Sequence, residues 1–318
     1  MATIREVAKL AGVSVATVSR VLNKKGYVHE DTVKKVEEAI EKLQYKPNAV
    51  AKSLFKKSST MLAVLFSDIE QTSFVELFTA IERTAYEAGY QVVVCNITDR
   101  TPYVDILLQN NVAGFIVTRH VYEQLKQKLV TVPFVVLDGD ENETSFVVGC
   151  SEYEGARLAT EFLLKKGSRF PAYIRGPHET AMMNQRFEGF LDVVEEQRIP
   201  YRLIDSELSV SDGERAALTL LRRAPYIDSI FACNDTVAIG AIRAAQKLGI
   251  SVPQHLQVIG FDGISQGEII YPGLTTVAQP FLQKGELATN VLLQQIQDKA
   301  AKRIYLLNPT IVERESTK

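Results

Sequence analysis

The sequence has little of what marks secreted, membrane-spanning or disulfide-stabilised proteins. Its three cysteines, Cys95, Cys150 and Cys233, lie far apart, and their odd number argues against a disulfide framework. The longest apolar run covers about six residues, far short of the roughly 20 that a membrane-spanning helix needs. The N-terminal sequence MATIREVAKL lacks the apolar stretch of a secretory signal. We therefore expect a cytoplasmic protein with reduced cysteines and no membrane partner.

Charge is unevenly distributed along the 318 residues. Residues 1–60 contain 12 lysines and arginines against 6 acidic residues, a net charge of +6, whereas the rest of the chain carries −8. A basic head on an acidic body is the pattern expected when one end binds nucleic acid, although charge alone also allows a solvated lysine-rich surface. The length predicts about two domains.

The basic head predicts three short helices between residues 3 and 45. Thr3 and Glu6 form a capping box before the first helix, Gly12 ends it, and Ser14 is placed to cap the second. The third helix runs from Glu30 to about residue 43. On the second helix the apolar side carries Val18, Val21 and Leu22, and the polar side carries Thr17, Ser19, Arg20 and Asn23. This arrangement is a helix-turn-helix, whose second helix enters the major groove.

The string TIREVAKLAGVSVATVSRVLN, followed by YKPNAVAKSL, closely resembles the headpiece of the lactose-repressor (LacI/GalR) family of bacterial transcription regulators. The resemblance implies that Val15, Ala16 and Arg20 read bases. Arg20 can bond guanine O6 and N7, whereas Val15 and Ala16 offer apolar contact. Helical periodicity alone would instead place Val15 in the core with Val18 and Leu22.

The same resemblance implies a hinge after Pro47. Asn48 would cap a short helix, residues 49 to about 55, that folds when two copies meet in the minor groove and Leu54 wedges between base pairs. Without the resemblance, this segment predicts a frayed helix that grades into a Lys/Ser linker. The DNA-binding residues that the resemblance implies are Thr3, Ser14, Val15, Ala16, Thr17, Ser19, Arg20, Asn23, Asn48, Ala51, Lys52 and Leu54.

The acidic body alternates apolar β-type runs with amphipathic helical stretches from Met61 onward, which predicts a parallel sheet wrapped by helices. Several runs end in a polar residue: Ser67, Asn96, Asp138, Asn234 and Asp262. Because ligands bind beyond the carboxyl ends of the strands in open α/β sheets, these residues are candidates for a binding site. Capping of turns is the alternative role for each.

The stretches GPHETAMMNQRFEGF, FACNDTVAIGA, VIGFDGI and PGLTTVAQP are similar to the effector domain of the same family, which resembles periplasmic sugar-binding proteins. The fold class implied is α/β, with an all-α headpiece and two α/β subdomains with parallel sheets. The implied boundaries are 1–46 for the headpiece, 47–60 for the hinge and linker, and 61–318 for the effector-binding and dimerisation domain. Within the last, the N-subdomain takes about 61–150 and 280–302 and the C-subdomain about 151–279 and 303–318.

The effector-binding residues that the resemblance implies are Ser67, Asp68, Phe74, Asp138, Arg186, Asn234, Asp262 and Gln279. Their chemistry fits a neutral polyol: carboxylates and amides bind hydroxyls, Arg186 donates a rigid fork, and Phe74 can cover an apolar sugar face. Leu208 stands where relatives often have a pocket-closing aromatic residue, which weakens the prediction of one particular sugar. Thr180 replaces the arginine of the purine-responsive member, so a purine co-repressor is not expected.

Two motifs partly match those of other classes, a hydrolase and a calcium-binding loop. Residues 263–267 spell G-x-S-x-G, but all four histidines precede Ser265, whereas a hydrolase of that type needs one after the serine. Asp138, Asp140 and Asn142 begin like a calcium loop that then lacks the required glycine and glutamate. We expect no enzyme, no metal site and no cofactor.

The sequence therefore predicts a repressor of a carbohydrate-utilisation operon that a small sugar releases from double-stranded operator DNA. No leucine-heptad tail follows the last strand-like segment, so we expect a homodimer. Two alternatives stay open. One is an activating or global regulator of the same family that a partner protein or a co-repressor modulates. The other is a sugar-binding protein without DNA function.

Overall fold

The computed structural model describes residues 2–23, 26–45, 59–67, 73–97, 102–138, 145–178 and 180–318. The chain forms two compact units, residues 1–59 and 60–318. Five of the predicted site residues lie outside the described residues: Asn48, Ala51, Lys52, Leu54 and Asp68. In the part of the chain that is described, no helix is long and apolar enough to cross a membrane.

The first unit contains the three predicted helices, α1 (Ile4–Ala11), α2 (Val15–Asn23) and α3 (Glu30–Lys42). The capping box is present at the start of α1, and Gly12 ends that helix in the left-handed conformation, with φ 67°. Val7, Val18 and Val36, one from each helix, are fully buried and form the centre of a small core. The packing of these apolar side chains holds the three helices together.

The second unit is built on two six-stranded sheets. The first sheet has the order β11-β5-β4-β3-β1-β2, with all its neighbours parallel. Its strands are β1 (Met61–Phe66), β2 (Gln91–Asn96), β3 (Gly114–Thr118), β4 (Phe134–Leu137), β5 (Phe146–Cys150) and β11 (Ile304–Leu307). Its helices are α4 (Ser73–Glu87), α5 (Pro102–Gln109), α6 (Arg119–Leu129) and α12 (Phe281–Ile296).

The second sheet has the order β12-β10-β9-β8-β6-β7 and is parallel except for the antiparallel edge strand β12. Its strands are β6 (Pro171–Arg175), β7 (Arg202–Asp205), β8 (Ser229–Ala232), β9 (Gln257–Asp262), β10 (Thr275–Ala278) and β12 (Thr310–Val312). The remaining helices are α7 (Glu152–Lys165), α8 (Ala181–Glu196), α9 (Val210–Arg223), α10 (Asp235–Lys247) and α11 (Gln266–Ile269).

The central strands carry continuous apolar runs because helices cover both faces of each sheet. Residues 62–66 of β1 and 258–261 of β9 are apolar and buried. Parallel sheets covered on both faces require such continuous apolar runs rather than alternating ones. The predicted fold class, a helical head with a two-subdomain α/β body, is confirmed.

The chain passes between the two sheets three times. The first two passages fall between Cys150 and Glu152 and between Ala278 and Phe281. The third lies between Leu307 and Thr310, so the subdomain boundary expected between residues 302 and 303 is wrong. The reason is that β11 still belongs to the first sheet, where it supplies the missing hydrogen bonds along the outer edge of β5. Leu307 O accepts from the N–H of Ser151 at 3.1 Å.

Candidate functional site

Two aspartates stand at the carboxyl ends of central strands in the two sheets. Asp138 follows β4 of the first sheet, and Asp262 ends β9 of the second. Both adopt positive φ angles, 53° for Asp138 and 114° for Asp262. Non-glycine residues rarely adopt this region, and such strained positions cluster at functional sites. The fold thus holds both carboxylates in unusual backbone conformations at the edges where ligands bind in α/β sheets.

Arg186 of α8 connects one of these aspartates to the interior. Only 1% of Arg186 is exposed. Its Nη2 donates to Oδ1 of Asp262 at 2.9 Å, and its Nε donates to Oε2 of Glu152 at 2.7 Å. Its Nη1 donates to the carbonyl of Cys233 at 2.6 Å, next to Asn234. The guanidinium is therefore bonded in three directions and held in place by the protein itself.

Gln279 and Lys284 extend this network to the other aspartate. Nε2 of Gln279 donates to Oδ1 of Asp262 at 3.0 Å. The ammonium of Lys284 donates to Oε1 of Gln279 at 2.8 Å and to Oδ1 of Asp138 at 2.7 Å. The connected side chains, from one end to the other, are Asp138, Lys284, Gln279, Asp262, Arg186 and Glu152. A continuous polar network thus joins a strand end of the first sheet to a strand end of the second; we call it the bridging network.

The charges of the bridging network stabilise one another. Burial acts to lower the pKa of Arg186, but the charges of Asp262 and Glu152 outweigh it and raise that pKa. The pKa of Lys284 is likewise raised, because Asp138 and Glu152 outweigh the effect of burial. Burial raises the pKa of Glu152, an effect that Arg186 opposes. With three carboxylates and two cations, the network carries a formal charge of −1.

Each strand-end aspartate keeps one oxygen available. Within the described ranges, the hydrogen bonds to Asp138 and Asp262 all end on Oδ1, and no residue donates to either Oδ2. The two side chains are 24% and 20% exposed, in contrast to the buried cations behind them. An ionised carboxylate oxygen is only an acceptor, so this arrangement is suited to ligands that present hydroxyl donors.

Three further predicted residues lie near strand ends but outside the network. Asn234 is buried and caps α10, with Oδ1 accepting from the N–H of Val237 at 2.8 Å, which is the alternative role considered for it. Phe74 is half-buried on α4 and stacks edge-on against Phe66 with ring centroids 4.7 Å apart. Ser67 is half-buried directly after β1.

Three buried charged residues at this site were not predicted from the sequence. Glu152 and Lys284 belong to the bridging network itself. Asp235 accepts hydrogen bonds from the N–H groups of Gly263 at 2.7 Å and Ile264 at 2.8 Å, and so fixes the loop that follows Asp262. Burial, aided by the charge of Asp262, raises the pKa of Asp235 to about 7.

The first unit presents a second candidate surface at the start of α2. Oγ of Ser14 caps this helix by accepting from the N–H of Thr17 at 3.1 Å. Val15 is 41% exposed, and Ala16 and Arg20 are exposed on the same unit. Val15 thus lies outside the core, as the family resemblance predicts. Helical periodicity alone predicts the opposite, a position inside the core.

Four other predicted DNA contacts already have partners within the headpiece. Thr3 shares its hydroxyl with Glu6 in the capping box at 2.9 Å. Nδ2 of Asn23 donates to the carbonyl of Ser19 at 2.7 Å, one turn back along α2. Ser19 and Thr17 are half-buried. The contact between Asn23 and Ser19 orders the last turn of α2, on which Arg20 is exposed.

Comparison with known proteins identifies the family of each unit. Residues 3–48 match the bacterial regulatory proteins of the lacI family, and residues 160–317 match the periplasmic binding protein-like domain. The ribose operon repressor of Halalkalibacterium halodurans is 42% identical over 323 residues, covering 100% of this chain and 98% of that protein. The chain belongs to the LacI family of bacterial regulatory proteins.

Two solved structures match most of the chain. A lac repressor dimer bound to operator and the anti-inducer ONPF has a TM-score of 0.90 at 28% identity, covering 99% of this chain and 98% of that one. A LacI family regulator from Enterococcus faecium with bound ribose has a TM-score of 0.72 at 29% identity, covering 81% of this chain and 98% of that one.

Proposed function

We propose that this LacI-family regulator represses a carbohydrate-utilisation operon and is released from its operator by a neutral sugar. The observation that carries the proposal is the pair of strand-end aspartates, Asp138 and Asp262, each with one oxygen bonded by the bridging network and one available. The helix-turn-helix unit supplies the means of binding DNA, and the α/β unit supplies a place for a small ligand.

Operator recognition is assigned to the exposed side of α2. Val15, Ala16 and Arg20 would contact base edges, with Arg20 able to bond guanine in two places. We propose that two copies bind together, because a two-fold dimer presents two equivalent reading helices to a pseudo-palindromic site. The lac repressor, a structural neighbour, is a dimer on its operator. The segment 47–60 would act as the hinge.

Ribose is the first candidate for the sugar. A relative covering the full chain is a ribose operon repressor, and a structural neighbour holds ribose. The chemistry of the site agrees, because Arg186 and Lys284 are each bonded to protein carboxylates, while the side chains of Asp262 and Asp138 remain 20% and 24% exposed. A neutral polyol that donates several hydroxyl hydrogens satisfies such a site without adding charge.

Release from DNA follows from binding to both subdomains. Asp138 belongs to the first sheet and Asp262 to the second. A sugar that bonds both aspartates favours the arrangement of the subdomains that brings them to the matching separation. A ligand shifts such an equilibrium only through its different affinity for the two states. We infer that the sugar-bound arrangement is the one with the lower operator affinity.

The test is a DNA titration of the full chain with and without sugars. A binding site is first enriched from a random duplex pool, and its affinity is measured by fluorescence anisotropy at several salt concentrations. Weaker binding with D-ribose, and a steep loss of affinity with salt, are expected. Tighter binding with sugar would favour a co-repressor mechanism instead. Sugar binding without any selected duplex would favour a sugar-binding protein without DNA function.

A further inference from the structure

We propose that Lys284 is a positioning residue of the effector site, one that sets the geometry of Asp138, Gln279 and, through Gln279, Asp262. It acts from beneath the site rather than by touching the sugar. The inference rests on the proposed function in one respect only, namely that the two aspartates bind the effector. The contacts that carry it are present without any ligand.

The location of Lys284 is unusual for a lysine. It lies on the buried stripe of α12, between Phe281 and Ala288, and is 1% exposed. A buried ammonium loses its hydration and persists only where its charge and hydrogen bonds are compensated. An apolar side chain at this position of α12 would avoid the cost of burying a charge. The presence of a lysine with specific bonds therefore indicates a role for those bonds.

The groups that face Lys284 come from several elements. Asp138 accepts its hydrogen bond from the end of β4, and the charge of Glu152 acts on it from α7. The thiol of Cys150 approaches from β5, and the Phe281 ring centroid lies 5.3 Å from Nζ on the same helix. Two carboxylates therefore hold Lys284 in its charged form. The ammonium group has three N–H donors and no acceptor.

This charge state fixes the orientation of Gln279. Because Lys284 can only donate, the Gln279 atom at 2.8 Å must be the carbonyl Oε1. The amide NH₂ then points to Oδ1 of Asp262, at 3.0 Å. Asp262, which can only accept, selects the same orientation from the other end of the amide. Without the ammonium, the amide would keep its bond to Asp262 but lose the anchor on its oxygen, so Lys284 restrains the position from which Nε2 meets Asp262.

It also determines which oxygen of Asp138 is left for the ligand. The bond of 2.7 Å occupies Oδ1 and anchors the carboxylate to α12. With Asp262 anchored by Arg186 and Gln279, each aspartate presents its other oxygen in an orientation that the protein sets. Preorganised acceptors bind a ligand more tightly because less ordering is left to the binding step.

Two variants separate positioning from a change of charge. Lys284→Met keeps the length of the side chain but takes the formal charge of the network from −1 to −2. Adding Glu152→Gln in the double variant returns it to −1 without restoring the bonds to Asp138 and Gln279. Lys128→Met is the matched control, because Lys128 pairs with Asp105 at 2.6 Å in the same sheet layer but away from the site.

Calorimetry with D-ribose gives the first result. Both Lys284 variants are expected to bind ribose at least tenfold more weakly than the wild type at pH 7, and Lys128→Met to bind within twofold. The single variant should also lose affinity more steeply than the wild type as the pH is lowered, because the pKa of Glu152, already raised by burial, rises further without the opposing charge of Lys284. The double variant should not show this excess slope. Wild-type affinity in the folded double variant would overturn the proposal.

Hydrogen exchange of the ligand-free proteins gives a result that does not depend on the sugar. The amides of Asp138 and Gln279 are protected by bonds to Val148 O at 3.1 Å and Asp262 O at 3.0 Å. We expect both to exchange faster in the double variant and at the wild-type rate in Lys128→Met. If the wild type binds no ribose, the proposed effector is wrong, and unchanged exchange at both amides would overturn the role of Lys284.

Discussion

Nη2 of Arg186 and Oδ1 of Asp262 lie 2.9 Å apart, which ties the middle of α8 to the carboxyl end of β9. The pair is asymmetric: the Arg186 side chain is buried, whereas Asp262 retains exposure on the other side. The bond to buried Arg186 fixes the orientation of the Asp262 carboxylate, and the exposed part of that carboxylate can bind a ligand. The variants of Asp262 are therefore the most direct test of the site.

Asp262→Asn is expected to separate sugar binding from DNA binding. The amide keeps one oxygen for Arg186 and Gln279 but loses the charge and the second acceptor. Ribose affinity should fall at least tenfold, about 1.4 kcal/mol, while operator affinity stays within twofold. The operator complex of the variant should then persist at ribose concentrations that release the wild type. Equal release by both proteins, in the anisotropy titration, would remove Asp262 from the site.

Asp235 is expected to make stability depend on pH. Its pKa is raised to about 7, so the native protein holds this proton more tightly than the unfolded chain does. The free energy of unfolding should therefore decrease as pH rises from about 4 to 7, and the loss should be complete above that range. Asp235→Asn keeps an acceptor for the N–H groups of Gly263 and Ile264 but cannot titrate.

The measurement is thermal unfolding of both proteins at pH 5.5 and pH 8. Asp235→Asn should lose less stability between the two, by about 2 kcal/mol, because about 1.4 kcal/mol is lost for each pH unit between 5.5 and a pKa of about 7. Asp228→Asn is a suitable comparison, since Asp228 also accepts backbone N–H bonds, from Arg169 at 2.7 Å and Phe170 at 3.1 Å. An identical pH response of wild type and Asp235→Asn would show that this carboxyl does not titrate there.

Arg20→Ala is expected to alter which DNA is bound. The arginine is exposed on α2 and can read one guanine, so its loss should cost about 1–3 kcal/mol on the selected operator. Preference at a single base pair should relax while the other positions keep theirs. Lys42→Ala, on α3, should leave the ranking of operator variants as it is. Competition binding against single-base variants measures both, and an unchanged ranking for Arg20→Ala would place its contact on phosphate.

The charge of the bridging network predicts discrimination between a sugar and its phosphate. A phosphate group adds about 1.5–2 negative charges to a site whose described ionised groups already sum to −1. Both cations there are bonded to carboxylates. D-ribose 5-phosphate should therefore bind at least a hundredfold more weakly than D-ribose in parallel calorimetry. Equal affinities would mean that a cation outside the bridging network receives the phosphate.

The strand ends of the site could be predicted, whereas its buried layer could not. Asp138 and Asp262 follow apolar runs, a pattern that sequence reveals directly. Arg186 was expected only through family resemblance, and Glu152 and Lys284 were missed. All three, however, fall on the buried stripe of their helices, with apolar or small neighbours three and four residues away. A charged residue in such a position is a signal of a buried ion pair, although sequence does not name the partner.

The roles of Asn234 and β11 show why the rest required coordinates. An asparagine directly after a strand can either cap the next helix or bind a ligand at the carboxyl edge of the sheet. The two roles differ only in where its side-chain oxygen points. The segment IYLL in β11 has the composition of a strand, but which sheet it joins depends on an open edge provided by β5, more than 150 residues earlier. Pairing over that distance is not encoded in local pattern.

The interleaved path of the chain has a consequence for experiments on parts of this protein. A fragment ending after β5 would contain five strands of the first sheet but lack α12 and β11, which come from residues 281–307. The edge of β5 would then be left without its partner, and the apolar faces that α12 covers would be open to water. Neither sheet layer is a contiguous piece of sequence. Neither is therefore expected to fold when expressed alone, and residues 60–318 form the smallest segment in which both layers are complete.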